Sequence, residues 1–311
     1  MKRWIGIAAL VLVAAIWWTI THLHDHLAIT SPSGARTAVV EGWMPRDRMP
    51  ALVQLLEEEG YDRIYVTGTT RLFAYYLEQD QALRVDFPGP TGGELLVNAS
   101  GIDGSRLLLL TANDTLMDLT LSGTPTAYRG TLPKGASSLL LRSLHPRALE
   151  PGTKNLFVKE LLLNGTNAHA LASTCALIRA DSTVLPAAPT FAEWGAWLLN
   201  EGGIPAERTV AVPATVNGIG RTLANARAFA AQAQADGLTA VDLISLGVHA
   251  RRSQRVYQEA CGDRVRVGVR ALADPDTPRE GWWRSSLGIV RVLKELVGIP
   301  ATEVLEGSMA P

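Results

Sequence analysis

Two cations, Lys2 and Arg3, precede an uncharged run from Trp4 to Thr21 built mainly of Leu, Val, Ile, Ala and Trp. At a 1.5 Å rise per residue, roughly 18 to 20 such residues span the hydrocarbon layer of a bilayer. The run therefore predicts a transmembrane anchor over residues 4–23. Cations before the run and Asp25 after it orient the amino terminus inwards. Trp17 and Trp18 stand near the far end, where amphipathic rings suit the interface. The rival reading is a cleaved secretory signal, which would end in a small-x-small site. The run is followed instead by Thr21-His-Leu-His-Asp-His26. Both readings export the remainder. The expectation is a single-pass protein of the plasma (inner) membrane, amino terminus cytoplasmic and soluble part periplasmic or otherwise extracytoplasmic.

The 311 residues are comfortable for two domains. Hydrophobic residues make up 47% and charged ones 19%, enough apolar side chain for packed cores. A formal net charge of -1 gives no basic excess, so nucleic acid is not an expected partner. Cys175 and Cys261 could pair in an oxidising compartment, although Cys261 reads more simply as a small buried apolar residue. His22, His24 and His26 suit a metal site or a solvated juxtamembrane stalk, and residues 25–36 read as a linker.

A strand–helix rhythm follows. Ala38-Val-Val40 reads as a strand ending at Glu41-Gly42-Trp43. Met49, Leu52, Val53, Leu55 and Leu56 mark one face of a helix that stops at Gly60. Ile64-Tyr-Val66 reads as a strand ending at Thr67-Gly68-Thr69-Thr70, with a helical stretch from Leu72 to Leu83. The period then shortens. Apolar clusters at 94–98, 106–110, 118–122, 138–142 and 155–159 are punctuated by Gly, Asn, Asp and Pro, as in a small antiparallel sandwich. After residue 168 the rhythm returns, with helices at 191–201, 221–235, 250–260 and 285–297 and strands at 209–212, 241–245 and 265–269. Alternation of this kind implies a parallel sheet covered on both faces. The expected fold is α/β, a Rossmann-like doubly wound parallel sheet over 36–84 plus 168–298. An antiparallel β-sandwich at 85–166 interrupts it.

Open α/β sheets bind ligands at the carboxyl ends of their strands, and polar residues collect there. Glu41 is a candidate general base or an edge carboxylate. Gly68 follows the second strand. Arg221, Thr222 and Asn225 open one helix, either capping it or supplying cation, hydroxyl and amide to an anion. His249 and Arg252 open the next, where a helix dipole and a guanidinium fork favour an anion and an imidazole can move a proton. The plainer alternative has Arg251 and Arg255 as solvated helix residues and His249 capping the turn; function is the preferred reading for His249 and Arg252, solvation for Arg255. Trp282 and Trp283 suit either the core or a sugar-stacking wall. No Gly-x-Gly-x-x-Gly, Walker loop, Gly-x-Ser-x-Gly or His-Glu-x-x-His is present, which demotes nicotinamide, nucleotide-triphosphatase, lipase and zincin chemistry.

Val39-Val-Glu-Gly-Trp-Met-Pro45, Val66-Thr-Gly68, Arg221-Thr-x-x-Asn225, His249-Ala-Arg-Arg252 and Trp282-Trp-Arg-Ser-Ser286 together resemble the YdcF/SanA/ElyC-like family. That resemblance implies a Rossmann-like fold, an envelope location and links to peptidoglycan or lipid-carrier homeostasis, with Gly68, Thr222, Asn225, His249 and Arg252 as the shared polar positions. More faintly, Asn155-Leu-Phe-Val-Lys-Glu-Leu-Leu-Leu-Asn-Gly165 resembles a calcium-dependent xylan-binding module. Calcium needs several oxygen ligands, and the loop Leu144-His-Pro-Arg-Ala-Leu-Glu150 offers one carboxylate among cations. The expectation is a sandwich without its metal and no assigned cofactor. The resulting picture is an envelope factor with an anion-binding cleft acting on a phosphorylated glycan or polyprenyl lipid intermediate. The alternative is a non-catalytic glycan-binding or scaffolding protein that uses the sandwich.

Overall fold

The computed structural model describes residues 2–307 apart from 217 and 219. The chain divides into two compact units. Unit 1 comprises residues 1–69 and 198–311, and unit 2 is Thr70–Trp197. The first segment of unit 1 carries α1 (Lys2–Leu27), β1 (Thr37–Glu41), α2 (Met49–Glu58) and β2 (Arg63–Thr69). Unit 2 then runs through β3 (Tyr75–Glu78), β4 (Ala82–Gly101), β5 (Arg106–Leu110), β6 (Thr115–Thr120), β7 (Thr126–Leu144), β8 (Lys154–Leu163), β9 (Thr166–Asn167), α3 (Ala168–Leu171), β10 (Thr174–Ile178) and β11 (Val184–Pro186). After α4 (Phe191–Glu201), the second segment of unit 1 supplies β12 (Thr209–Ala214), α5 (Arg221–Ala235), β13 (Ala240–Leu246), α6 (Ala250–Cys261), β14 (Arg266–Leu272) and α7 (Ser286–Gly307).

Unit 1 is built on a parallel sheet in the order β12-β2-β1-β13-β14. The apolar run Ala38-Val-Val40, with two β-branched valines, suits its central position, where both faces are covered. Val39 aligns with Tyr65 on one side and Leu243 on the other. Each large buried side chain in such a core contributes roughly 1.5–3 kcal/mol. In α6 the buried positions Ala250, Ser253, Val256, Tyr257 and Cys261 form a single stripe, and Gly262 with φ 61° ends the helix. Alanine-rich α5 lays Ala226, Phe229 and Ala233 onto the same core. The chain moves outward from β1 through β2 to β12, then returns to the other side of β1 as β13. Strand order therefore reverses between β1 and β13, which is where a doubly wound sheet opens its ligand crevice.

Three local expectations change. Residues 25–36 are no loose linker: α1 continues to Leu27, and Ser31 forms an antiparallel bridge with Val269. Ser33 N donates to the buried Asp242 Oδ1 at 2.5 Å, so the segment is strapped along the edge strand β14. Gly68 lies within β2 rather than in a loop, because the ladder to β12 continues through Pro213↔Gly68 and Ala214↔Thr69. Leu72–Leu83 is not helical. Tyr75-Tyr-Leu-Glu78 is extended, and Asp80 turns the chain at φ 63°. Leu72, Tyr76 and Leu83 fall at the helical intervals of four and seven residues, but strand pairing with β8 buries Leu77 while leaving Tyr76 exposed.

Unit 2 is an antiparallel sheet along β11-β10-β4-β7-β5-β6, with β3, β8 and β9 joined through β8. The long strands β4 and β7 pass through an irregular stretch between Asp86 and Gly93. On one side of it Val85 pairs with Cys175 and Leu139; on the other, Val97 pairs with Tyr128 and Leu161. Leu83, Val85, Leu95, Val97, Leu109, Leu141 and Leu161 share one core. A bulged strand bends and so lets one sheet close over its own side chains.

Among the described residues no helix is long and apolar enough to cross a membrane, so the predicted anchor over 4–23 gains no support there. The end of α1 packs onto unit 1, with Ile20, Leu23 and Leu27 against Val248, Trp282 and Val292. His24 Nε2 donates to Thr277 O at 3.0 Å, and Arg279 forms two hydrogen bonds with Asp25. Among the described residues no group of three or more His, Cys, Asp or Glu is placed to hold a metal. Cys175 and Cys261 are both free and buried, and burial pushes their thiols up to about 12 and about 11. Trp282 is core, its Nε1 donating to Ile20 O at 3.3 Å.

Candidate functional site

The switch point holds a buried polar cluster. Glu41 ends β1 and is fully buried. It is met from β13 by Ser245, whose Oγ donates to Oε2 at 2.6 Å, and from α6 by Ser253, whose Oγ donates to Oε1 at 3.1 Å. Gly247 turns the chain between β13 and α6 at φ 50° and delivers His249 beside that carboxylate, Nε2 to Oε1 at 3.6 Å. His249 Nδ1 lies 3.0 Å from Glu295 Oε1 of α7, and Arg252 Nε donates to Glu295 Oε2 at 2.6 Å. Trp43 closes edge-on over the imidazole, with ring centroids 5.4 Å apart.

The charge states follow from these distances. Burial alone would favour neutral imidazole, but it is outweighed by the Glu41 charge together with the Glu295 hydrogen bond, and the His249 pKa rises to about 9. Burial likewise opposes ionisation of Glu295, but hydrogen bonds from His249 and Arg252 bring it down to about 2. For Glu41 burial is again the largest influence. The adjacent imidazolium and the donors from His249, Ser245 and Ser253 overcome it and hold the carboxyl below its ordinary value. With Nδ1 protonated, the 3.1 Å approach of Arg252 Nη2 to it is two donors converging on one carboxylate. The cluster thus alternates acid and base with no net charge. His249, 13% exposed, is its proton-bearing member at neutral pH. Its Nε2–H faces Glu41 Oε1 across 3.6 Å, a long contact that a ligand acceptor closer to the imidazolium can replace.

The structure brings Glu41, His249 and Arg252 into one network. The guanidinium of Arg252, expected to meet a ligand, is engaged by Glu295, and a Cβ on Gly298 of α7 would stand 3.0 Å from Arg252 Cδ. Arg252 therefore also fastens α7 to α6. Arg252→Ala is expected to cost roughly 1–3 kcal/mol, because Glu295 keeps only one cationic partner. Urea denaturation at pH 7 measures it, with faster amide exchange expected along α7. Arg251 donates its Nε to His26 O, so the end of α1 is tied to the same helix.

The remaining candidates lie along the rim. Arg221 is exposed and Thr222 half-buried at the start of α5, whose N-cap Gly220 supplies no side-chain hydrogen bond to the first turn. Asn225 is buried at 2% exposure, and its Oδ1 has no hydrogen-bond partner. Gly68 is buried within β2. Sequence reasoning missed Glu295, Ser245, Ser253 and the pair Thr67 Oγ1···Tyr257 Oη at 2.7 Å. A polar residue falling in a helix's buried stripe was the available signal for Ser253 and for Glu295, which follows buried Val292 by three residues.

No family model matches the chain, and no curated protein matches it. Among solved structures, the carboxyl-terminal domain of EclA, a sugar-binding protein, is 14% identical with a TM-score of 0.21, covering 30% of this chain and 76% of its own. A family 29 carbohydrate binding module is 10% identical at a TM-score of 0.21, covering 32% and 84%. A family two carbohydrate esterase from Cellvibrio japonicus is 10% identical at a TM-score of 0.21, covering 74% and 98%. Scores of this size establish no common fold; the chain is a mixed α/β protein with a parallel sheet and a separate antiparallel sheet.

Proposed function

We propose that unit 1 binds an anionic ligand along the carboxyl ends of its strands and that His249 serves there as a proton donor. The observation that carries this reading is the imidazolium held between two carboxylates at the reversal of strand order. A histidine with a pKa of about 9 is charged at neutral pH, so it gives a proton or a charged hydrogen bond more readily than it removes one. Glu41, buried and ionised, maintains that charge rather than acting as a base itself. The anion belongs at the start of α5, where the first-turn amides have no side-chain cap and Arg221 stands exposed. Thr222 adds a hydroxyl, and the unpartnered Asn225 Oδ1 can accept a ligand hydrogen.

The ligand class that fits is a phosphorylated glycan or a polyprenyl-linked phosphate, handled by a membrane-anchored, extracytoplasmic protein of the YdcF/SanA/ElyC-like kind. The anchor is supported by the exposed apolar side chains of the first part of α1, among them Trp4, Leu10, Val13 and Trp17, and by the cations that precede them. Titration of the full-length protein in detergent micelles with a polyprenyl phosphate tests the reading. Arg221→Ala is expected to weaken binding at least about tenfold, the loss of one charge-assisted contact. Wild-type protein that binds no polyprenyl phosphate, or an Arg221→Ala variant that binds it equally, would sink the proposal.

A further inference from the structure

We infer that α7 is a second membrane contact, a helix whose outward face lies in the lipid headgroup layer beside α1 and holds the site of unit 1 at the membrane surface. Its burial inverts the usual amphipathic pattern. Gly288, Val292 and Glu295, at intervals of four and three, are buried. On the opposite side Leu287, Val290, Leu293 and Val297 are exposed, Val290 at 61% and Val297 at 69%. The folding of unit 1 alone does not explain a helix that buries a carboxylate and turns a stripe of aliphatic side chains outward.

Continuity and charge select a lipid surface as the occupant. The first part of α1 exposes Trp4, Leu10, Val13 and Trp17. Trp17 meets Trp283, three residues before α7, edge-on with ring centroids 5.8 Å apart. Ile20 and Leu23 of α1 pack with Leu296 of α7 against the buried Trp282 and Val292. The apolar surface of α1 thus runs on into α7 through tryptophan, a side chain that settles at the bilayer interface. Lys294 is exposed within the α7 stripe and Arg284 just ahead of it. Arg291, by contrast, is held by Asp274 and Asp276, and Glu295 by Arg252. A lysine stem lies along apolar surface while its ammonium reaches lipid phosphate. A second copy set face to face on this stripe would meet the same cations and, from Ser286 to Gly298, no exposed carboxylate to receive them. The consequence for the site rests on the anion-binding reading proposed above. Glu295, on the buried side of α7, lies 3.0 Å from His249 Nδ1, and a helix is about 10 Å across. Docking α7 therefore puts His249 about one helix diameter from the layer in which a lipid-linked phosphate presents its charge.

Nitroxide labels on the full-length protein, reconstituted in vesicles of phosphatidylcholine and phosphatidylglycerol, test the inference. They are attached to Val290→Cys and Leu293→Cys in α7, to Leu10→Cys in α1, and to Ala231→Cys, exposed on α5, as the water reference. Cys175 and Cys261 are buried, and the unsubstituted protein gives the labelling blank. The ratio of collisions with oxygen to collisions with a water-soluble nickel chelate should be at least about fivefold higher at Val290 and Leu293 than at Ala231. Ratios equal to that at Ala231 overturn the docking. Spin–spin broadening at Leu293 that disappears on dilution with unlabelled protein also overturns it, because a second copy then covers the face. The Leu10 label reports the anchor separately: lipid at Leu10 with water at Val290 and Leu293 removes the docking and spares the anchor. None of these readings uses a ligand, so a protein that fails to bind polyprenyl phosphate can still show α7 in lipid. Both α7 substitutions replace exposed side chains, and should one unfold the protein, the other decides alone.

Discussion

His249→Ala is expected to destabilise unit 1 by about 3–5 kcal/mol at pH 7, the cost of leaving a buried carboxylate without its cation. Glu41 has no exposure through which water could replace the imidazolium, and the hydroxyls of Ser245 and Ser253 supply hydrogen bonds but no charge. The penalty should depend on pH in a definite direction. The imidazole has an ordinary value of 6.5 and reaches about 9 in the fold. A group raised on folding contributes fully below its unfolded value and loses that contribution as pH climbs through the folded one. Wild-type stability should therefore fall between about pH 6.5 and pH 9, by roughly 3 kcal/mol. His249→Ala should show no such slope, so the two proteins converge above pH 9.5. Urea denaturation at pH 6, 7.5 and 9.5 reads both effects. A penalty that stayed constant across that range would mean His249 is neutral in the fold.

The fold of unit 1 was legible because its signals are local. Val39-Val40, the stripe of α6 and the alanine face of α5 each declare an element through period alone. Strand order is not local, and only the pairing of β1 with both β2 and β13 reveals where the crevice opens. Leu72–Leu83 misled because Leu72, Tyr76 and Leu83 recur at intervals of four and seven that a helix would also produce, while the aromatic pair Tyr75-Tyr76 favours a strand. In the same way the strap from Ala28 to Arg36 looks like a linker in a sequence rich in Ser, Pro and Gly. What fixes it is hydrogen bonding to Asp242 and Val269, more than two hundred residues away.

The site divides along similar lines. His249, Arg252 and Glu41 stood out because they occur at strand ends and helix starts, where charge is chemically useful. Glu295 did not, because a carboxylate on an amphipathic helix is ordinarily solvated. Its partners come from another part of the chain, and they convert the expected ligand cation Arg252 into half of an internal ion pair. In the function proposed above, Arg221, the exposed guanidinium at the start of α5, takes the role of first contact for an anion.

Gly247→Ala is expected to cost roughly 2–5 kcal/mol, and it tests how the site is positioned rather than its charge. The residue sits at φ 50°, where a side chain costs about 1–2 kcal/mol. A Cβ there would also stand 2.8 Å from Asp274 Cβ and 3.0 Å from Thr277 Oγ1, a crowding worth about 1–3 kcal/mol. Neither neighbour yields easily. Asp274 accepts from Thr277 Oγ1 at 3.0 Å and from Arg291 of α7 at 2.8 Å, and Thr277 O holds His24. Relief must therefore come from the turn itself, which carries His249 away from Glu41. Gly247→Ala should then lose not only stability but also the downward slope between pH 6.5 and pH 9, because the imidazole no longer sits against the buried carboxylate. A variant that is destabilised yet keeps the wild-type slope would show that the turn accommodates the methyl group without moving His249, and that the cluster is held by α7 instead.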